Sequence, residues 1–280
     1  MNKPKLAIIT PTFHENRLPY LQEALFSIFK QSEKDFVVIV CDDNPLRNNK
    51  AELIDITKFD DRVKYISNKV NLWIAWSRNI SIQKVLQEFP SVWYISFLDD
   101  DDWWISEDKI DEQIKYMKKD NSLWVIWTNW FIIDESSNYV NRIQLPENDY
   151  SIRNKINFSF PFLPSSMLFR KEIFHTLQLN ESLFWSDDYL LIYQILKLYK
   201  GYTIQENMSW YRVHWWNTSY NIDNIKKLTN EKIAIIKEYW WEFPYHSLWI
   251  ITNLILKKLW PKVKKQLKKI RFSTSNHCII

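Results

Sequence analysis

The chain has one glycine, Gly201, in 280 residues, and no other feature constrains its folding as much. Average usage would supply about 20. Tight turns, bulges and backbone lying against a ligand depend on glycine, because it alone enters the positive-φ region at little cost. The same chain carries 16 tryptophans. Several stand where turns are expected: Asn71-Leu72-Trp73-Ile74-Ala75-Trp76-Ser77, the run from Leu123 to Trp130, and Val213-His214-Trp215-Trp216-Asn217. The pattern is that of a chain whose tryptophans mostly stand for glycine, as conceptual translation of UGA as Trp produces when the host reads UGA as Gly. The alternative is a genuinely Trp-rich glycan- or membrane-binding surface. Under the first reading Trp73, Trp76, Trp215 and Trp216 must either crowd a cleft or turn outward on backbone unfavourable for a side chain.

Hydrophobic runs alternate with helical periodicity through the first hundred residues. Leu6–Thr10, closed by Pro11, reads as a buried parallel strand. A helix follows over Leu18–Gln31, then a strand at Phe36–Val40, an amphipathic segment, a strand at Val63–Ile66, a helix over Ser77–Phe89 and a strand at Tyr94–Leu98. This order predicts an α/β fold, a doubly wound, mostly parallel nucleotide-binding sheet. Ligands of such sheets gather at the carboxyl ends of the strands, where Thr12, Asp43 and Asp99–Asp102 fall. Farther on, the pattern predicts strands near Trp124–Ile133 and at Ser166–Phe169, an irregular stretch over 141–165, and a helix around Asp188–Tyr199. After Ser219 it turns helical and basic, giving a catalytic-size domain over 1–220 and a tail over 221–280.

Apolar residues make up 46% of the chain, enough for a sizeable core. Two cysteines, Cys41 and Cys278, form no disulfide framework or metal cluster, so a reducing, cytoplasmic compartment is expected. The apolar stretch after Lys5 is too short for a signal peptide, and no run reaches membrane-spanning length. Residues 221–280 hold 12 lysines and arginines against 4 acids, and from Phe243 onward there is no acid at all. Between Leu254 and Ile270 apolar residues recur at three- and four-residue steps among lysines. Two readings are open: a helix packed on the body with a solvated basic face, or a peripheral contact with an anionic membrane surface at the inner face of the cytoplasmic membrane. Nucleic acid is not an expected partner.

The sharpest chemical signal is Phe97-Leu98-Asp99-Asp100-Asp101-Asp102-Trp103-Trp104 at a strand end. Four adjacent carboxylates repel, so a solvated turn or a cation must offset them; Mg²⁺ or Mn²⁺ bridging to a diphosphate meets that need. Five further segments stand in order with this one. They are Ile8-Ile9-Thr10-Pro11-Thr12-Phe13, Val38-Ile39-Val40-Cys41-Asp42-Asp43-Asn44, Asn71-x-Trp73-x-Ala75-x-x-Arg78-Asn79, and the downstream pair Trp185-Ser186-Asp187-Asp188-Tyr189-x-Leu191 and Tyr211-Arg212-x-His214-x-x-Asn217-x-Ser219. Together they resemble the family 2 glycosyltransferases of the GT-A fold over residues 5–220. Glycine is that family's residue at Trp73 and often at Trp76.

The resemblance implies roles position by position. Pro11, Thr12 and Phe13 border the nucleotide base of a nucleotide-diphospho-sugar donor, and Asp43 accepts a hydrogen bond from that base. Arg78 meets base or diphosphate, Asp99 and Asp100 hold the ribose and metal shell, and Asp101 ligates Mn²⁺ or Mg²⁺ with His214 completing the shell. Asp188 is the general base of an inverting transfer to a hydroxyl of a surface-polysaccharide or lipid-linked glycan acceptor. Asp187 stands where the family carries glutamate, which leaves it as the second candidate base. A sugar-phosphate nucleotidyltransferase of the same fold would show a basic, glycine-rich phosphate loop near the N-terminus, and none is present even with glycines restored. A non-catalytic Trp-rich binding module predicts that Asp43, Arg78, Asp101, Asp188 and His214 do not converge.

Overall fold

The computed structural model describes residues 3–156, 163–183, 186–214 and 222–239. Its centre is one nine-stranded sheet. Four strands, β1 (Leu6–Thr12), β2 (Phe36–Asp42), β3 (Val63–Ser67) and β4 (Tyr94–Phe97), pair in parallel in the order β3-β2-β1-β4. Helices α1 (Leu18–Phe29), α2 (Lys50–Thr57) and α3 (Trp73–Glu88) form the crossovers. β1 and β2 are buried along their whole length, as continuous apolar runs in a sheet covered on both faces should be. Two clusters of buried side chains result. One holds Ile9, Ile39, Ile82 and Phe97, and the other Ile8, Leu21, Leu25 and Val38, so alternate residues of each strand serve opposite faces.

The second half continues the same sheet with mixed directions. After β5 (Trp103–Trp104) and α4 (Lys109–Lys119) come β6 (Leu123–Ile133), β7 (Tyr139–Ile143), α5 (Asp149–Ile156), β8 (Leu168–Arg170), α6 (Asp187–Leu198), β9 (Lys200–Arg212) and α7 (Ile222–Tyr239). β8 runs antiparallel between β4 and β6, β9 lies parallel to β6, and β5 closes the order β4-β8-β6-β9-β5. Among the described residues no helix is long and apolar enough to cross a membrane.

The doubly wound, mostly parallel α/β reading holds for the first half, and three expectations need correction. The 141–165 stretch is not irregular throughout, since it carries the end of β7 and all of α5. The 13-residue β9 has no counterpart among the strands read from the sequence. α3 begins at Trp73, not Ser77, because Asp43 reaches across from the end of β2 and accepts the N–H groups of Leu72 (2.9 Å, Oδ1) and Trp73 (2.8 Å, Oδ2). Beyond Tyr239 the basic tail lies outside the described residues, as do Trp185, Trp215 and Trp216.

Trp73 has φ = 70°, in the left-handed region, and its side chain is turned out to 52% exposure. Only Ser137 shares positive φ among the described non-glycine residues. A bulky side chain there costs on the order of 1–3 kcal/mol that glycine avoids. Trp76 is also turned outward, at 42% exposure, but on helical backbone without positive φ. Trp104 is a different case: it is buried, and its indole Nε1 donates to the Ser165 carbonyl at 2.7 Å. Trp127 is fully buried against Gly201, where an added Cβ would collide with its indole.

Candidate active site

The carboxyl ends of β1, β2 and β4 form one edge, and the aspartate turn projects from it. Each of its four carboxylates has different partners. Asp99 accepts a 2.6 Å hydrogen bond from Arg78 Nη2, and its own N–H donates to Ser165 Oγ. Asp100 accepts from Thr12 Oγ1 at 2.7 Å and from Arg17 Nη1 at 3.0 Å. Asp101 Oδ2 lies 2.7 Å from His214 Nε2 and 3.3 Å from Arg17 Nη1. Asp102 accepts from Ser165 Oγ at 2.6 Å and from the Arg212 N–H at 3.1 Å.

Electrostatics separate Asp100, Asp101 and Asp102. Burial raises Asp100 to about 6 despite the charge of Arg17, with Asp101 pushing the same way. Burial and the charges of Asp101 and Asp99 drive Asp102 well above the usual carboxylate range. Asp101 goes the other way: burial opposes its ionisation, but the His214 hydrogen bond and the Arg17 charge outweigh it and hold the carboxyl below its ordinary value. Neighbouring buried carboxylates disfavour one another's ionisation, and of Asp100, Asp101 and Asp102 only Asp101, beside imidazole and guanidinium, has its ionised form favoured.

Across from the turn, Asp187 and Asp188 open α6. A helix N-terminus favours negative charge, and the Tyr189 N–H donates to Asp188 Oδ1 at 2.7 Å. Arg78, buried on α3, joins the two acidic groups: Nη2 holds Asp99 while Nη1 lies 3.6 Å from Asp187 Oδ2. Burial, then the Asp188 charge, raises Asp187 to about 7, with Arg78 opposing. Burial also raises Asp188, against Arg78 and Lys232 of α7. Asp187 is buried, whereas Asp188 is half-buried and the more open of the two.

The expected site residues therefore fall into connected groups. Thr12, Asp100, Asp101 and His214 share one cluster, Asp99, Arg78, Asp187 and Asp188 a second, and Asp43 caps the helix that carries Arg78. Pro11 is buried in β1, and Phe13, just past its end, is partly exposed at the same edge. Sequence reasoning missed Arg17, Ser165 and the part Arg212 plays. Arg212 lies over the Tyr20 and Trp103 rings, donates through Nε to the Asp101 carbonyl and pairs with Glu23. The need for a cation near four carboxylates was legible, and arginines at 17, 78 and 212 meet it. The two carboxylates are donors suited to a hard divalent ion, and the neutral imidazole is a borderline donor beside them. As they stand, with the Arg17 guanidinium between them, they do not form a three-ligand cluster among the described residues.

The model of the glycosyl transferase family 2 matches residues 7–178, and the chain belongs to that family. It is a glycosyltransferase, and its fold is GT-A. The chain is 28% identical to an uncharacterized glycosyltransferase of Methanocaldococcus jannaschii, with 99% of both chains covered. It is 38% identical to the GalNAc(5)-diNAcBac-PP-undecaprenol beta-1,3-glucosyltransferase of Campylobacter jejuni over 35% of this chain and 30% of that one. Among solved structures, the mannosyltransferase PcManGT of Pyrobaculum calidifontis, in complex with GDP-Man and Mn²⁺, is similar at a TM-score of 0.61 and 14% identity, covering 83% of this chain and 64% of that one. The chain thus spans nearly the whole of the archaeal relative and less than a third of the Campylobacter one.

Proposed function

We propose that this chain is an inverting, metal-dependent glycosyltransferase that moves a hexose from a nucleotide-diphospho-sugar to a hydroxyl of a lipid-linked or surface-polysaccharide acceptor. The observation that carries this reading is the Arg78 bridge between the aspartate turn and the α6 pair, which sets a carboxylate pair of raised pKa opposite a donor-side acidic turn. Inversion needs a base on the face opposite the leaving diphosphate, and a raised pKa makes a carboxylate a stronger one. Asp188 is that base. Asp187, buried and facing Arg78, tunes it. Pro11, Thr12, Phe13 and Asp43 border the donor base, Arg78 and Asp99 face the diphosphate and ribose, and Asp101 with His214 would hold Mn²⁺ or Mg²⁺. The cation would neutralise charge developing on the leaving diphosphate. The lipid-linked acceptor is supported by the Campylobacter relative, and the nucleotide-sugar donor and metal by the Pyrobaculum complex. Purified protein offered a panel of nucleotide sugars should release nucleoside diphosphate only with divalent cation, and Asp101→Ala should abolish that release. Release that survives complete chelation would overturn the metal-dependent reading.

We infer as well that Trp73 is glycine in the protein its host makes. Positive φ at a bulky residue, an outward indole and a chain with one glycine all support this. Trp104, with its indole hydrogen bond, is a genuine tryptophan by the same reasoning. Peptide mass spectrometry of host-made protein should find glycine at 73 and tryptophan at 104. Tryptophan at 73 would sink the recoding.

A further inference from the structure

We propose that Arg17 is the resident counter-ion of the metal position, and that a divalent cation enters only as this arginine swings out. The inference rests on the metal-dependent reading above. Arg17 closes the short 3-10 turn Glu15–Arg17 directly after β1. Its Nη1 lies 3.0 Å from Asp100 Oδ1 and 3.3 Å from Asp101 Oδ2, and its Nη2 lies 3.3 Å from His214 Nε2. One guanidinium thus sits among two carboxylates and the imidazole that would hold the metal.

The arrangement follows from charge. Asp100 and Asp101 are adjacent and buried, so a folded chain without metal needs another cation between them. Arginine supplies one that is always charged, with Nη1 facing both carboxylates and Nη2 facing His214. A divalent ion takes carboxylate oxygens at about 2.0–2.2 Å, a distance that leaves no room for a guanidinium between the same oxygens. The guanidinium is held by its tip, since Nε has no hydrogen-bond partner among the described residues, so its release breaks the contacts of Nη1 and Nη2 alone.

Donor-free Mn²⁺ binding, followed by electron paramagnetic resonance, tests this directly. If the arginine-out state is about a tenth of the wild-type population, Arg17→Gln should bind Mn²⁺ about tenfold more tightly, because apparent affinity scales with the competent fraction. Without metal the same variant should melt below wild type, and saturating Mn²⁺ should raise its melting temperature by more than it raises that of wild type. Arg17→Lys keeps the charge but not the fork and safeguards the test should Arg17→Gln fold poorly; its Mn²⁺ affinity should lie above that of wild type. Equal or weaker Mn²⁺ binding in both variants, with wild type binding, would overturn the exchange and leave the metal reading intact. Absence of Mn²⁺ binding in wild type and both variants would overturn the two together.

Discussion

The Asp99–Asp102 turn and the Asp187–Asp188 pair are both largely buried acidic groups joined through Arg78, yet they are held in opposite ways. In the turn every carboxylate is held by side-chain or amide donors: Arg78, then Thr12 with Arg17, then His214 with the same Arg17, then Ser165 with the Arg212 amide. Among the described residues the α6 pair has amides of its own helix start, the shared Arg78 and the more distant Lys232. The densely partnered group is fixed in geometry, as a binding surface for a charged donor should be. In the α6 pair burial raises both carboxyls, Asp187 to about 7, which strengthens each as a proton acceptor in its ionised form. One arginine serves both.

Removing that arginine should have the largest effect on stability. Arg78→Met leaves Asp99 and Asp187 facing each other without a cation, and breaking a buried pair from one side costs about 3–5 kcal/mol. Urea unfolding measures it; a loss within experimental error would mean that the two acidic groups are not joined through Arg78. Next, Asp102→Ala strands the Ser165 hydroxyl and the Arg212 amide, and unpaired buried donors cost ~1–3 kcal/mol each. Asp188→Asn should leave stability nearly unchanged. If calorimetry finds the two variants equally destabilised, the contrast between a fixed and a lightly held group fails.

A smaller effect concerns pH. The folded pKa of Asp187 is raised to about 7 and that of Asp100 to about 6, so the folded chain binds more protons than the unfolded chain above the ordinary carboxylate value. Stability from these groups is full at about pH 4 and falls as pH rises through 6 and 7. Asp101, with a lowered pKa, works the other way and weakens the fold only below its ordinary value. Asp187→Asn should flatten the decline between pH 5 and 8 in melting curves, by about a kcal/mol per pKa unit removed. An unaltered decline would place the raised carboxyl elsewhere.

The two regions were not equally legible in the sequence. β1 to β4 and the aspartate turn could be read directly, because apolar runs that end in Asp43 or Asp99 announce both strand and ligand edge. β9 could not be, since Gln205, Glu206 and Asn207 interrupt its apolar pattern where its register on β6 shifts. The true start of α3 depends on Asp43, about thirty residues away, and local periodicity carries no trace of such a cap. Arg17 was hidden for a related reason. The requirement for positive charge beside Asp99–Asp102 is local, but the residue that meets it lies more than eighty positions earlier, in a loop with no periodicity of its own.

The division of labour between the two acidic groups is tested most directly by measuring donor affinity and single-turnover transfer in the same two variants, Asp101→Asn and Asp188→Asn, with saturating acceptor. The expected pattern is crossed. Asp101→Asn should lose metal-supported donor binding, whereas Asp188→Asn should bind donor as wild type does and lose transfer by about 10²–10⁴-fold, the usual contribution of general-base catalysis. Donor binding lost equally in both, or transfer preserved in Asp188→Asn, would contradict the assignment of binding to the turn and proton transfer to the pair.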